Sequence, residues 1–216
     1  MDWLFEDQRV HPSLYDIFIQ GNLERTVSIR GGISWPQSES PGYFVLLAQL
    51  EKRDSNGNLR FLAFYEDMAT ITSEFFKKIA WACSKWRIDE LLHGGQRRTL
   101  GQPASGESAF SDQLSDYLEK KEKRYELVQL PSIGPSWRAN DPDFLVSLVR
   151  DSVANQKLLL FQLSDNRTPR LFDRIRNTDL ELDFMEIPEL RALSYVLDDF
   201  EVSPWEPPPG EERSDY

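Results

Sequence analysis

A chain of 216 residues with 40% apolar and 28% charged side chains has the balance of one globular domain, or at most two small ones. No apolar run approaches the ~20 residues of a membrane-spanning helix, and the acidic start "MDWLFEDQRV" lacks the apolar core of a signal peptide, so none is expected. A single cysteine, Cys83, excludes an internal disulfide and makes a reducing cytoplasmic setting the expectation, and with only two histidines a zinc centre of four Cys/His ligands is excluded as well.

The net charge of −11 is unevenly spread. Residues 1–178 hold 24 acidic and 23 basic side chains, a net of −1, whereas residues 179–216 hold 12 and 2, a net of −10. A neutral body is compatible with nucleic acid. The acidic end repels phosphate, and its plainest reading is a solubilising tail.

Residues 1–26 read as an irregular or partly helical N-terminal lead-in. "VSIRGGIS" (27–34) and the apolar run "YFVLLAQLEK" (43–52) read as strands. Asn56-Gly57 is a two-residue hairpin signal, and "LRFLAFYED" (59–67) returns as a third antiparallel strand. The period then becomes helical. In "TSEFFKKIAWACSKWR" the residues Phe75, Phe76, Ile79, Ala80, Cys83 and Trp86 share one face, which places Cys83 in the core as an inert thiol. "IDELLHGG" (88–95) fits a fourth strand ending at paired glycines, and 95–106 a loop. A second helix over 107–120 and a fifth strand over 124–130 follow.

Asp141-Pro142 and Thr168-Pro169 each start a helix, with a capping side chain followed by proline at the first helical position. "KLLLFQL" (157–163) between them is a short buried strand or an extended segment. Pro188 opens the last helix, with Leu190, Leu193, Val196, Leu197 and Phe200 at helical spacing. Residues 203–216, with four prolines, are expected to be a disordered acidic tail. The element order predicts an α/β domain over 27–202, namely a ribonuclease-H-like mixed five-stranded sheet with helices on both faces.

Three stretches carry a further resemblance. "GISWPQSESPGYFVLLAQ" is similar to the first strand and turn of the C-terminal nuclease domain of phage large terminase subunits. "DPDFLVSLVRDSVANQKLLLFQLSDNRTPRLFDRI" resembles that family's late helix, extended piece and following helix, and "PELRALSYVLDDF" its final helix. The likeness covers about 27–200. It implies a domain that cuts viral DNA during packaging. It also implies carboxylates from strand one, the end of strand four and the last helix, holding two Mg²⁺ or Mn²⁺ ions. Such chemistry needs clustered acids, because only several hard oxygen ligands neutralise two ions about 4 Å apart.

The matching positions here are Ser34, Gly94 and Arg191: a hydroxyl, a bare backbone and a cation that repels metal ions. Glu39, Asp89 and Glu189 are the alternative ligands, each read alone as a solvated surface charge. His93, beside Gly94, is a general-base candidate or else a surface or hydrogen-bonded loop residue. Trp35 reads as packing. Three basic clusters (Arg97 and Arg98; Lys120, Lys121, Lys123 and Arg124; Arg167, Arg170, Arg174 and Arg176) form a phosphate-binding surface only if folding joins two of them. There is no phosphate loop of the G-x-x-x-x-G-K-[ST] kind.

Three functions remain open at this point. One is a nuclease-like domain without catalysis or cofactor, binding DNA or a protein partner of a phage or mobile-element complex. Another is an active Mg²⁺- or Mn²⁺-dependent endodeoxyribonuclease with relocated ligands. The third is an acidic protein-interaction module or inhibitor. No membrane partner is expected under any of them.

Overall fold

A computed structural model describes residues 15–19, 22–95, 106–160, 170–177 and 186–204. Strand β1 (Tyr15–Ile19) is followed by β2 (Asn22–Ser34), β3 (Gly42–Leu50), β4 (Phe61–Ala69), α1 (Thr72–Lys85), β5 (Glu90–His93) and α2 (Glu107–Tyr125). Then come β6 (Ser132–Pro135), α3 (Pro142–Ala154), β7 (Leu158–Leu160), α4 (Arg170–Asn177) and α5 (Pro188–Val202). The strands form one mixed sheet in the order β6-β5-β2-β3-β4-β7, with β1 paired to β2 outside that path.

The three antiparallel neighbours expected from the alternating and apolar runs are β2, β3 and β4. β5 joins β2 in parallel and β6 joins β5 in parallel. The sheet departs from five strands in two places. β1 forms a hairpin with the start of β2, so that strand begins at Asn22 rather than Val27. β7 adds in parallel to β4 through Phe61–Ala63.

The expected fifth strand over 124–130 is a correction. The stripe Leu114, Leu118 and Tyr125 continues at helical spacing, so α2 runs to Tyr125 and ends at Glu126 in the left-handed conformation, φ 49°. The strand beside β5 is instead Ser132–Pro135, which lies just past that cap. The Asn56-Gly57 signal marks the right turn but a wider one. Gly57 has φ 82°, and Asp54 accepts from the amides of Asn56 and Asn58 at 2.8 and 2.7 Å, closing the tip with its own side chain.

Apolar side chains pack on both faces of the sheet. One face, with Ile29, Ile33, Phe44, Leu46 and Leu91, is covered by α1 and α2. The other, with Tyr43, Val45, Leu47 and Leu92, is covered by α3, α4 and α5. Asp141 caps α3 as its sequence implied, accepting from the Phe144 amide at 3.1 Å, with Pro142 at the start. Phe75, Ile79, Cys83, Trp86, Leu193 and Leu197 are all buried. Trp35 packs against Phe75, Phe76, Phe110 and His93.

Burial pushes the Cys83 thiol up to about 12. Labelling of native protein by a thiol reagent at pH 8 is therefore expected to be as slow as unfolding, and fast in urea. Rapid native labelling would mean that α1 is docked by a different face. No described helix is long and apolar enough to cross a membrane.

Candidate functional site

Ser34 ends β2, and Ile33 lies opposite His93 in the parallel β5, so Gly94 follows beside Ser34. Helix α5 crosses this end of the sheet because Gly32 has no side chain. A Cβ at Gly32 would lie 1.8 Å from the Ala192 carbonyl oxygen. Arg191 precedes Ala192. The chain thus brings Ser34, Gly94 and Arg191 to one end of the sheet, beyond the carboxyl ends of its parallel strands. Ser34 is buried. Arg191 is half-buried, and its Nε is buried without a hydrogen-bond partner.

Two carboxylates share this end. Tyr43, opposite Ser34 on β3, donates its hydroxyl hydrogen bond to Glu66 of β4. Burial first, and then the Glu66 carboxylate, push the Tyr43 hydroxyl well above the usual phenol range. Glu66 also accepts from the backbone amides of Arg170 and Leu171, the latter at 3.0 Å. It thereby supplies the acceptor that the first turn of α4 lacks. Glu189 is buried in the first turn of α5, 3.5 Å from Arg174 Nε, and its Oε2 has no hydrogen-bond partner.

The proposed substitutes for the missing ligands are not assembled together. Glu39 is exposed in the turn after β2. Asp89 precedes β5 at the level of Ile29, roughly 16 Å of strand below Ser34 at about 3.3 Å per residue. There it accepts from Ser28 Oγ at 2.8 Å and from the Ile29 amide at 3.3 Å. Only Glu189 is near the degenerate positions. Among the described residues no three His, Cys, Asp or Glu side chains converge in a way that could hold a metal ion. A hydroxyl, a backbone and a guanidinium do not fit a two-metal centre, and Glu66 is engaged by α4.

Sequence reasoning missed Glu66. The available signal was an acid in a strand at a position that shares the face of Tyr43, on which α5 packs. His93 is 1% exposed with its ring 5.4 Å from Trp35, and its Nδ1 faces the Gly94 carbonyl. It is a packed residue at the strand end rather than a surface one.

A second carboxylate group, also missed, ties down the other end of α5. Asp198 Oδ2 accepts from Ser136 Oγ at 2.5 Å and from the Arg138 amide at 2.7 Å. Asp199 Oδ2 pairs with Arg30 at 2.7 Å, and its Oδ1 accepts from Trp137 Nε1 at 3.0 Å. Two acids inside an apolar helical stripe were the clue. These ties hold the loop after β6 and the last turn of α5 to the sheet.

Glu90 faces this pair, and burial and the neighbouring Asp199 raise its carboxyl above the usual range despite Arg30. The native state therefore holds a proton that the unfolded chain releases. That contribution is full below the ordinary glutamate range near ~4.3 and is lost as pH rises through the raised native value. Glu90→Gln removes the loss. Its melting temperature is expected to exceed that of the wild type at pH 8, with the gap closing toward pH 4. A variant that melts lower at pH 8 would show that the Glu90 charge is favourable there.

Among the described residues, the basic clusters of α2 and α4 do not merge. Lys120, Lys121, Lys123 and Arg124 belong to α2 on one face, and Arg170, Arg174 and Arg176 to α4 on the other. Arg97, Arg98 and Arg167 lie outside the described residues, as do 205–216 of the expected tail.

No protein-family model matches the chain, and no curated protein matches it. A crystal structure of NurA bound to dAMP and manganese aligns with 81% of this chain and 53% of its own length, at 14% identity and a TM-score of 0.16. The chain spans about half the length of that protein. A TM-score of this size carries no argument, so function has to be argued from the chain's own residues.

Proposed function

We propose that the chain is a ribonuclease-H-like domain of the terminase-nuclease kind that has lost metal-dependent cleavage. It acts by binding DNA or a protein partner of a phage or mobile-element complex. The observation that carries this reading is the meeting of Ser34, Gly94 and Arg191 at one sheet end, where such a nuclease needs acids. Support for the fold comes from the strand order β6-β5-β2-β3-β4. Three antiparallel strands are followed outward by two parallel ones, the outer of which is Ser132–Pro135 rather than the expected 124–130.

The arginine has a direct consequence. A guanidinium is always charged and repels divalent ions, whereas it favours phosphate or carboxylate. Asp198 and Asp199 of the last helix do not replace the lost ligands, because both are committed to internal ties at the far end of α5.

The test is purified chain with supercoiled plasmid DNA and millimolar Mn²⁺ or Mg²⁺. No nicking is expected, and no saturable heat of metal binding in calorimetry. Cleavage that a chelator stops and that Glu189→Ala abolishes would overturn the reading in favour of relocated ligands.

A further inference from the structure

The outer face of α1 carries an arrangement that neither sheet end explains. Lys77, Trp81 and Lys85 are spaced four residues apart, so they line one exposed stripe, each about 6 Å along the axis from the next. Trp81 is 45% exposed. Lys85 Nζ lies over the Trp81 ring, 5.8 Å from its centroid, a cation held on the π face. Neither lysine is in an ion pair among the described residues, whereas the neighbouring Lys78 is held by Asp67. Glu74 is the acid at the amino end of the stripe.

The indole is fixed in place. Leu46 pairs with Tyr65 and Leu47 with Ala63, so Phe64 is an extra residue in β4, and this bulge turns both Phe64 and Tyr65 toward α1. Trp81 rests on Tyr65 at 5.6 Å between centroids and meets Trp86 edge-on at 5.7 Å. Tyr65 and Phe64 in turn pack on Trp86 at 4.9 and 5.4 Å. The buried part of the aromatic cluster accounts for the core. It does not account for a large ring left half in water with an ammonium one turn away on either side.

We infer that the Lys77–Trp81–Lys85 stripe is a docking strip for single-stranded nucleic acid, in which a base stacks on the indole in place of the Lys85 ammonium, and that lysine swings to a flanking phosphate while Lys77 meets the other. A rigid, half-exposed aromatic platform serves every base, because each has a π face, and cations on both sides match the alternation of base and phosphate. An apolar peptide groove would need apolar neighbours at the i±4 positions, and both are lysines. The strip deepens the DNA-binding arm of the proposed function and lies on the opposite face of the sheet from α5. Two phosphate contacts also define a weak site, in keeping with a chain of net charge −11.

The experiment is fluorescence anisotropy of labelled oligothymidylate with the full chain at low salt. Saturable binding is expected, with log affinity falling against log salt at a slope of about −1.4, or ~0.7 for each of two phosphates. Trp81→Ala is expected to weaken binding about tenfold or more, with Trp81→Phe retaining most of it. Lys77→Gln with Lys85→Gln should flatten the salt slope. Circular dichroism and melting of each variant show that the fold is kept, since all three side chains are exposed. Absence of binding at low salt, or binding that Trp81→Ala leaves unchanged, would overturn the strip. Either outcome leaves the loss of cleavage standing, because plasmid nicking with Mn²⁺ reads the other site.

Discussion

Gly32→Ala is expected to destabilise the chain by at least ~3 kcal/mol, or to prevent folding altogether. A Cβ there would lie 1.8 Å from the Ala192 carbonyl oxygen and 2.7 Å from its carbon. These are backbone atoms of α5, so no rotamer change relieves the overlap and the helix has to lift away. Ordinary overpacking by one methyl costs about 1–3 kcal/mol. Here the displaced element also carries Leu190, Leu193, Val196, Leu197 and Phe200, all buried against the sheet. The neighbouring Gly31 is a graded control. Its Cβ would meet the side-chain ends of Leu91 and Phe44 at 2.7 Å, which can give way, so Gly31→Ala should cost less. Gly134→Ala has nothing within 4 Å and should be close to neutral. Urea unfolding of the three variants checks the order. A Gly32→Ala protein within about 1 kcal/mol of wild type would mean that α5 does not rest on β2 at this point.

The same contact shows what could be read from the chain and what could not. The strands around Val45 and Leu62 announce themselves by continuous apolar runs, and α1 by a stripe that is buried where the period says. Asp141-Pro142 is a local signal and behaves as one. The segment after α2 misled because Tyr125 and Leu127 fit a strand as well as a helix end, and only the left-handed Glu126 decides. β7 was legible as an apolar run, but its pairing with β4 joins segments about 97 residues apart, which a local pattern does not contain. β1 is a local hairpin with β2 that was missed because it falls in a segment read as irregular or partly helical. At the candidate site, Ser34, Gly94 and Arg191 came from alignment with a family, and their convergence follows from strand order. Glu66, Asp198 and Asp199 were missed because an acid's partner is a tertiary fact. Asp198 is fully buried yet sits in the same "LDDF" string as any solvated pair would.

Asp199→Ala is expected to cost about 3–5 kcal/mol, the usual penalty for leaving a buried charge without its partner. Arg30 and Asp199 are both nearly inaccessible, and their 2.7 Å contact is joined by Arg30 donating to the Ser203 carbonyl at 2.7 Å. The Arg30 guanidinium also lies over the Phe200 ring, 4.5 Å from its centre, in a residue only 8% exposed. The exposed Lys120–Asp116 pair on α2 is the contrast, and breaking it should cost under about 0.5 kcal/mol. Asp199→Asn should recover only part of the loss, because its single amide oxygen keeps an acceptor for either Trp137 or Arg30 while giving up the charge. The double change Arg30→Met with Asp199→Leu should be milder than Asp199→Ala, since it removes both ions rather than stranding one. Urea unfolding of Arg30→Met, Asp199→Leu and the double change gives the coupling directly. A small effect of Asp199→Ala would show that water, or the Glu90 carboxylate facing the pair, takes the place of Asp199 beside Arg30. The result bears on the candidate site as well. Arg30 fixes the carboxyl end of α5 and Gly32 its amino-terminal half, and these two contacts together set where Arg191 stands at the sheet end that holds Ser34 and Gly94.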